Sequence, residues 1–306
     1  MPQRPLGYLL LAMAMATVGT TVIASKLIAG QIPPLIATAL RLALALPVLG
    51  AMALRRGGPL PRLGLRIWAL LALQAGAGSI GFTVLLILGL AHLPAADAGV
   101  VVGTLPAVSA VFAILVLGER PSPRVALAVA CATLGVMAVA LRPGQGETAP
   151  GADALTGILL ILGAVSCESV FILLQKRLGT PLPPLWQSTA MTGLGLALCA
   201  PVAMAMAPVL PPSAGLWASL GSPAALAVLW YALVPTVAGF LLWYAGAARV
   251  PGAEAAVFTA IAPVTAVALS ALVLHEAIGP AQLAGLGAVA CAILILSRPA
   301  ARSLRQ

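Results

Sequence analysis

The chain has 306 residues, 61% of them hydrophobic and only 8% charged, with a mean hydropathy of +1.11. No soluble globular composition approaches this, so the chain is an integral membrane protein. Its 16 Lys+Arg against 7 Asp+Glu give a net charge of +9, but the cations punctuate apolar runs as membrane-flanking residues do, which argues against a nucleic-acid partner. Four cysteines (Cys131, Cys167, Cys199, Cys291) lie inside apolar stretches at no metal-ligand spacing, and neither a disulfide framework nor a metal site is expected.

A bilayer core about 30 Å thick needs about 20 apolar residues per helix. Cutting the chain at Pro/Gly clusters and charges predicts ten spans: 7–29, 34–54, 65–90, 94–117, 123–141, 156–178, 184–209, 223–248, 251–274 and 280–296. The first apolar run is too long for a signal peptide and further spans follow it, so it reads as a membrane helix. With the N-terminus inside, every cation except Lys26, Arg41 and Arg142 falls on the cytoplasmic side, 13 of the 16. Both termini are therefore expected in the cytoplasm.

The chain also repeats itself. At a constant offset of 157, Pro94 matches Pro251, Asp97 matches Glu254, Pro106 matches Pro263, the Leu115 to Leu117 triplet matches Leu272 to Leu274, and Glu119 matches Glu276. A weaker match at an offset of 150 pairs Gly7 with Gly157, Lys26 with Lys176 and Pro33-Pro34 with Pro183-Pro184. The expected organisation is a first five-helix repeat over 1–143, an external linker over 144–155 and a second repeat over 156–306. Five helices per repeat force the second copy into the membrane from the opposite side. The expected fold is thus all-α, ten transmembrane helices in two inverted repeats, the architecture of alternating-access transporters. Channels built on a duplication remain the alternative.

The ten spans, Ala39 to Leu42 reading Ala-Leu-Arg-Leu, and the Leu-x-Glu closing each half (Leu117 to Glu119; Leu274 to Glu276) resemble the EamA branch of the drug/metabolite transporter superfamily. The resemblance covers about Gly7 to Arg298 and implies export of small metabolites, amino acids prominent among them. His275 stands where the Gly-Glu pair would have glycine, and Met191 stands where repeat symmetry would pair Arg41.

Matched helix interruptions in two inverted halves point to a transport site. Pro106 and Pro263 are expected to kink the fourth and ninth helices near their middles, freeing the carbonyls of Val102 and Thr259 for a cavity or for a neighbouring helix's hydroxyl. Polar residues at midplane depth fall on helices one, three, four, six, eight and nine, among them Thr21, Thr83, Ser169 and Thr236. Those six helices are expected to line a cavity, although a lone Thr more often bonds its own helix. Gly76, Gly78 and Gly81 supply small residues for close helix approach beside Ser79 and Phe82. Trp230-Tyr231 and Trp243-Tyr244 are expected to form two interfacial belts, with a gate role for Trp243 as the alternative.

Glu168 stands out because it lies midway along its predicted span, where it cannot snorkel to either interface. A charge there costs about 2.5 to 3.5 kcal/mol even on lenient insertion scales. It reads as a proton-coupling carboxylate or a binding group for an ammonium, with a structural role, pairing with Arg41 or hydrogen-bonding neighbouring threonines to fix helix packing, as the alternative. Asp97 and Glu254 read as first-turn capping residues, Glu119 and Glu276 as loop anchors, and His92 and His275 as outer-surface residues. The candidate substrate-binding residues are Gln74, Ser79, Phe82, Thr104, Glu168, Trp243 and Thr259, with Pro106 and Pro263 as helix-kink residues.

No His-Glu-x-x-His, Gly-x-Ser-x-Gly or Gly-x-x-x-x-Gly-Lys run is present, so the sequence offers no catalytic apparatus, no cofactor site and no nucleotide-driven pump. The expectation is a gradient-driven secondary transporter of the bacterial inner membrane, exporting small metabolites such as amino acids. A channel or uniporter, or a translocase of lipid-linked substrates, is the alternative. The short loops permit a monomer.

Overall fold

The computed structural model describes residues 4–56, 58, 62–117, 123–140, 150–178, 182–206, 221–250, 258–259 and 261–297. Among them every regular element is helical. α1 spans Arg4–Ile28, α2 Pro34–Arg56 and α3 Leu65–Leu90. α4 is split into Ala95–Val102 and Leu105–Leu117, followed by α5 (Pro123–Ala140), α6 (Pro150–Arg177), α7 (Pro184–Met206), α8 (Pro223–Ala247), α9 (Ile261–Leu274) and α10 (Pro280–Ser297). Proline opens α2, α5, α6, α7, α8 and α10, where its missing N–H is one that a helix start leaves unbonded anyway. Ser222 adds a side-chain cap to α8, its hydroxyl accepting from Ala225 N at 3.2 Å.

Seven of these helices are long and apolar enough to cross a membrane: α1 to α4 and α6 to α8. The apolar stretches of the other three are shorter, Val125–Ala138, Ile261–Leu274 and Pro280–Ile295. The start of the predicted ninth span, 251–257, lies outside the described residues, as do Glu119 and Glu254. Leu54, Leu65, Leu115 and Leu272 stand 72–86% exposed, an apolar surface that belongs in lipid.

Three local expectations are corrected. α6 begins at Pro150, so the latter part of the predicted linker is its first turns. Pro106 does not kink a continuous helix: a turn at Gly103 and Thr104 interrupts α4, and Pro106 sits second in the half-helix that follows. The same happens in α9, where Thr259 lies in a turn and Pro263 is the third residue of the helix that follows. A proline in a first turn removes no helical hydrogen bond, so an interruption is the cheaper solution.

The two halves pack alike in detail. α3 contains a π-helical stretch, Ala75–Gly81, and α8 contains another, Ala232–Gly239, starting 157 residues later. A Cβ on Gly89 of α3 would lie 2.5 Å from Ile161 of α6, and one on Gly157 would meet His92, Leu93 and the Gly89 carbonyl. The counterparts at the two sequence offsets do the same: Gly246 of α8 abuts Leu11 of α1, and Gly7 meets Arg249, Val250 and the Gly246 carbonyl. Such glycine contacts let helices approach closely where lipid offers no hydrophobic drive for association.

Candidate functional site: a charged cavity between interrupted helices

One cavity of about 120 Å³ is walled by α1, α2, α3, α4, α6, α8 and α9, with no described residue of α5, α7 or α10 in its lining. The two broken helices meet it at their breaks: Val102, Gly103 and Pro106 from α4, and Thr259, Ala262 and Pro263 from α9. The two π stretches meet it as well, through Gly78 and Ser79 of α3 and Pro235 and Gly239 of α8. π-bulges turn backbone groups away from the regular ladder and frequently mark functional sites.

Two opposite charges face this space. Arg41 of α2 is 5% exposed. Its Nη2 donates to the Ser79 carbonyl at 2.7 Å and to Thr83 Oγ1 at 3.0 Å, and its Nη1 donates to Thr236 Oγ1 at 3.0 Å. Thr236 passes its own proton to the Tyr231 carbonyl at 2.8 Å, a bond reaching five residues back that the π stretch makes available. Ser79 and Thr236 are equivalent positions of the two repeats, so one cation is held by both bulges. The Tyr231 ring lies beneath the guanidinium, 4.4 Å from its carbon to the ring centroid, an arrangement worth about 2 kcal/mol when desolvated.

Glu168 of α6 lines the same cavity, near enough to Arg41 for the charges to interact. No hydrogen bond or ion pair from the described residues reaches its carboxylate, and none joins it to Arg41. Among the described residues no direct ion pair joins the two, although they lie within electrostatic reach of each other. Both charges look into one space instead.

Of the predicted binding residues, Ser79, Phe82, Glu168, Trp243 and Thr259 line the cavity together with Pro106 and Pro263, whereas Gln74 and Thr104 do not. Gln74 is fully buried between helices, its Nε2 donating to Gln175 Oε1 at 2.7 Å and to the Phe171 carbonyl at 3.2 Å. Gln187 of α7 donates to the same Gln175 oxygen at 2.5 Å, so this amide cluster ties α3, α6 and α7 together. Thr104 bonds back to the Val101 carbonyl at 2.7 Å. The aromatic belts are also corrected: Trp230 is exposed, with Nε1 donating to Thr20 Oγ1 at 3.1 Å, but Tyr231 and Tyr244 are buried and Trp243 faces the cavity. Phe171 and Phe240 add two rings to the wall with no signal in the sequence beyond their apolar runs.

A second polar cluster closes one end of the bundle. Both oxygens of Glu276 accept backbone protons at the start of α4, from Ala95 N and Ala96 N at 2.8 Å each. Glu276 is therefore a helix cap and not a loop anchor. Asp97 lies in the first turn of α4, as the sequence predicts, and also accepts from Gln282 Nε2 at 2.6 Å. Lys26 donates to the Leu90 and Leu93 carbonyls at 2.8 Å each, close enough to Glu276 to interact with it. His275 and His92 are exposed beside this cluster.

An apolar helical bundle enclosing a charged cavity of about 120 Å³ beside interrupted helices is a multi-pass membrane protein with a polar space inside it. The model of the EamA-like transporter family matches residues 5–141 and again residues 155–298. The chain belongs to that family, within the drug/metabolite transporter superfamily, whose members are transporters. It is similar to two proteins of Bacillus subtilis (strain 168). The uncharacterized transporter YetK is 30% identical over 289 residues, 94% of this chain and 84% of the relative. The uncharacterized transporter YdeK is 30% identical over 263 residues, 85% of this chain and 86% of the relative. One solved crystal structure, 22% identical, shares the fold with a TM-score of 0.63 over 95% of this chain and 96% of that one.

Proposed function

We propose that this transporter is a secondary carrier of the bacterial inner (cytoplasmic) membrane that exports amino acids by alternating access. The observation that carries the reading is the unpaired Glu168 facing a cavity between two matched helix breaks. An ionised carboxylate without a partner is costly in this setting, and it is retained where it takes a proton or a ligand's ammonium in turn.

The inverted-repeat organisation supports the alternating part. The family model matches twice along the chain, the glycine contacts of α3 with α6 recur between α8 and α1, and the π stretches recur at the repeat offset. Ten spans, five per repeat, and two cytoplasmic termini accord with the cation distribution. Two units related in this way can rock about a cavity at their junction and open it to either side.

The test is flux of a labelled amino-acid mixture in proteoliposomes, with and without an imposed pH gradient, for the native protein and Glu168→Gln. Gradient-dependent flux lost in the variant is the expected outcome. Flux indifferent to both gradient and substitution would reject coupling at Glu168 and leave a uniporter or channel, and absence of flux would reject amino acids as cargo.

A further inference from the structure

We propose that Arg41 is the anchor for the cargo's carboxylate, so that the cavity selects zwitterions that span from Arg41 to Glu168. This rests on the amino-acid transport reading above and names the group that reads the substrate.

Arg41 is a cation 95% withdrawn from solvent, and among the described residues no anion is bound to it. A buried charge is normally compensated by an opposite one, because neutral acceptors recover only part of the lost hydration. Its three hydrogen bonds and its aromatic neighbour are all neutral, and they fix the guanidinium in place without neutralising it. A guanidinium has five N–H donors. Three are occupied here; the Nε proton is buried with no partner, and one Nη1 proton is unassigned. The molecule therefore holds an oriented cation in the wall of a cavity of about 120 Å³, with one Nη1 proton left to assign and Nε shut away from that space. Guanidinium groups suit carboxylates because several donors are presented in one plane.

The rest of the wall narrows the chemistry. Glu168 lines the same cavity as Arg41, so a dianion such as a phosphate monoester meets a like charge in Glu168, and an amine without a carboxylate meets one in Arg41. A solute with both charges satisfies both. Phe82, Phe171, Phe240 and Trp243 leave apolar surface for what lies between and beside them. The repeat partner of Arg41 is Met191, fully buried and packed with Leu71 and Phe171 outside the cavity, so the second half of the chain offers no duplicate of this anchor.

The experiment measures ligand-induced thermal stabilisation of the purified full-length protein, with the twenty L-amino acids assayed singly. For the strongest binder, its decarboxylated amine and its deaminated acid are titrated as well, on the native protein and on Arg41→Gln and Arg41→Lys. The native protein is expected to bind the amino acid at least ten-fold more tightly than the amine. Arg41→Gln should weaken the amino acid by a similar factor and bind the amine at least as tightly as the native protein does, because the like charge is gone; a merely structural role would not produce that pattern, and Arg41→Lys should retain part of the affinity. Amine binding as tight as that of the amino acid to the native protein overturns the proposal without any variant, so it stays testable if Arg41→Gln does not fold. Amino-acid affinity unchanged in a folded Arg41→Gln overturns the anchor while leaving amino-acid transport standing. No stabilisation by any amino acid overturns both.

Discussion

Glu276 joins the two halves of the chain, and its removal has a size that can be worked out. Its carboxylate accepts from Ala95 N and Ala96 N, two of the donors that the start of α4 leaves unbonded, and Pro94 at the cap position has no side chain to serve them. Replacing a capping side chain by alanine costs about 1 kcal/mol, up to about 2, and a carboxylate at a helix start adds about 0.3 to 1 kcal/mol from the dipole. Glu276 is only partly buried, so water recovers some of the freed N–H groups, and Glu276→Ala should cost about 2 kcal/mol. Glu276→Gln should cost about half, since its one carbonyl oxygen can serve one N–H while its amide nitrogen faces the other. By scanning fluorimetry in detergent the alanine variant should melt about 5 °C lower, taking about 2 to 4 °C per kcal/mol. Adding salt should narrow the gap, because the charge part is screened. A melting point within about 1 °C of the native protein for both variants would refute the capping role and return Glu276 to a surface anchor.

A Cβ on Gly78 would lie 2.7 to 2.9 Å from the Phe171 ring and its Cβ, whereas one on Gly76 meets nothing within 4 Å. Gly78→Ala should therefore push Phe171 into the cavity and raise the transport KM several-fold, while Gly76→Ala should be neutral or gain about 0.5 to 1 kcal/mol in stability; equal behaviour in a thermal and transport comparison would contradict the packing. His275 adopts φ 53°, and the Glu276 N–H then reaches the Ser270 carbonyl at 3.1 Å to close α9. His275→Gly should be stabilising by up to about 1 kcal/mol, since left-handed geometry costs about 1 to 2 kcal/mol for a residue with a Cβ and part of that returns as glycine's entropy; a lower melting point would show that the imidazole itself holds the turn. Gly246→Ala would drive a Cβ to 3.1 Å from the Leu11 backbone nitrogen, and Gly89→Ala one to 3.0 Å from the Gly157 carbonyl. Both should slow maximal transport without changing ligand-induced thermal stabilisation, and a loss of affinity without loss of rate would show that these contacts shape the cavity instead.

The helices were legible because their limits are chemical. Arg62 and Gly64 before Leu65, and the turn through Ala91 and His92, bound α3 at Leu65–Leu90 as the sequence predicts. What happens inside a helix was not legible. A π stretch inserts one residue into a turn and changes no composition, so Ala75–Gly81 and Ala232–Gly239 read as ordinary helix. The belt reading failed for a geometric reason: adjacent residues lie about 100° apart around a helix, so Trp230 can face out while Tyr231 faces Arg41. Gln74 reads as a binding residue because it is polar at midplane depth, but it is spent on Gln175 of another helix. Glu168 was the legible part of the site, an isolated carboxylate in an apolar span. Arg41 was visible as a cation in the wrong place, yet only packing reveals that it and Glu168 share a cavity without pairing.

The repeat offsets separate what is duplicated from what is not. The glycine contacts, the π stretches and the helix breaks all occur twice, and these are features that let helices slide and bend. The two charges that face the cavity occur once. Arg41 has Met191 as its counterpart, and Glu168 has Val18, which lines the same cavity as an apolar wall. A pair of charges related by the repeat symmetry would have set cation against cation and carboxylate against carboxylate, each repelling its copy across a low-dielectric space. A single copy of each leaves one dipole across the cavity, with Arg41 held by Ser79 of one half and Thr236 of the other. Any relative movement of the halves that displaces those two groups must therefore alter how Arg41 is held, which places the one fixed cation of the site on the element that the motion of the scaffold would disturb.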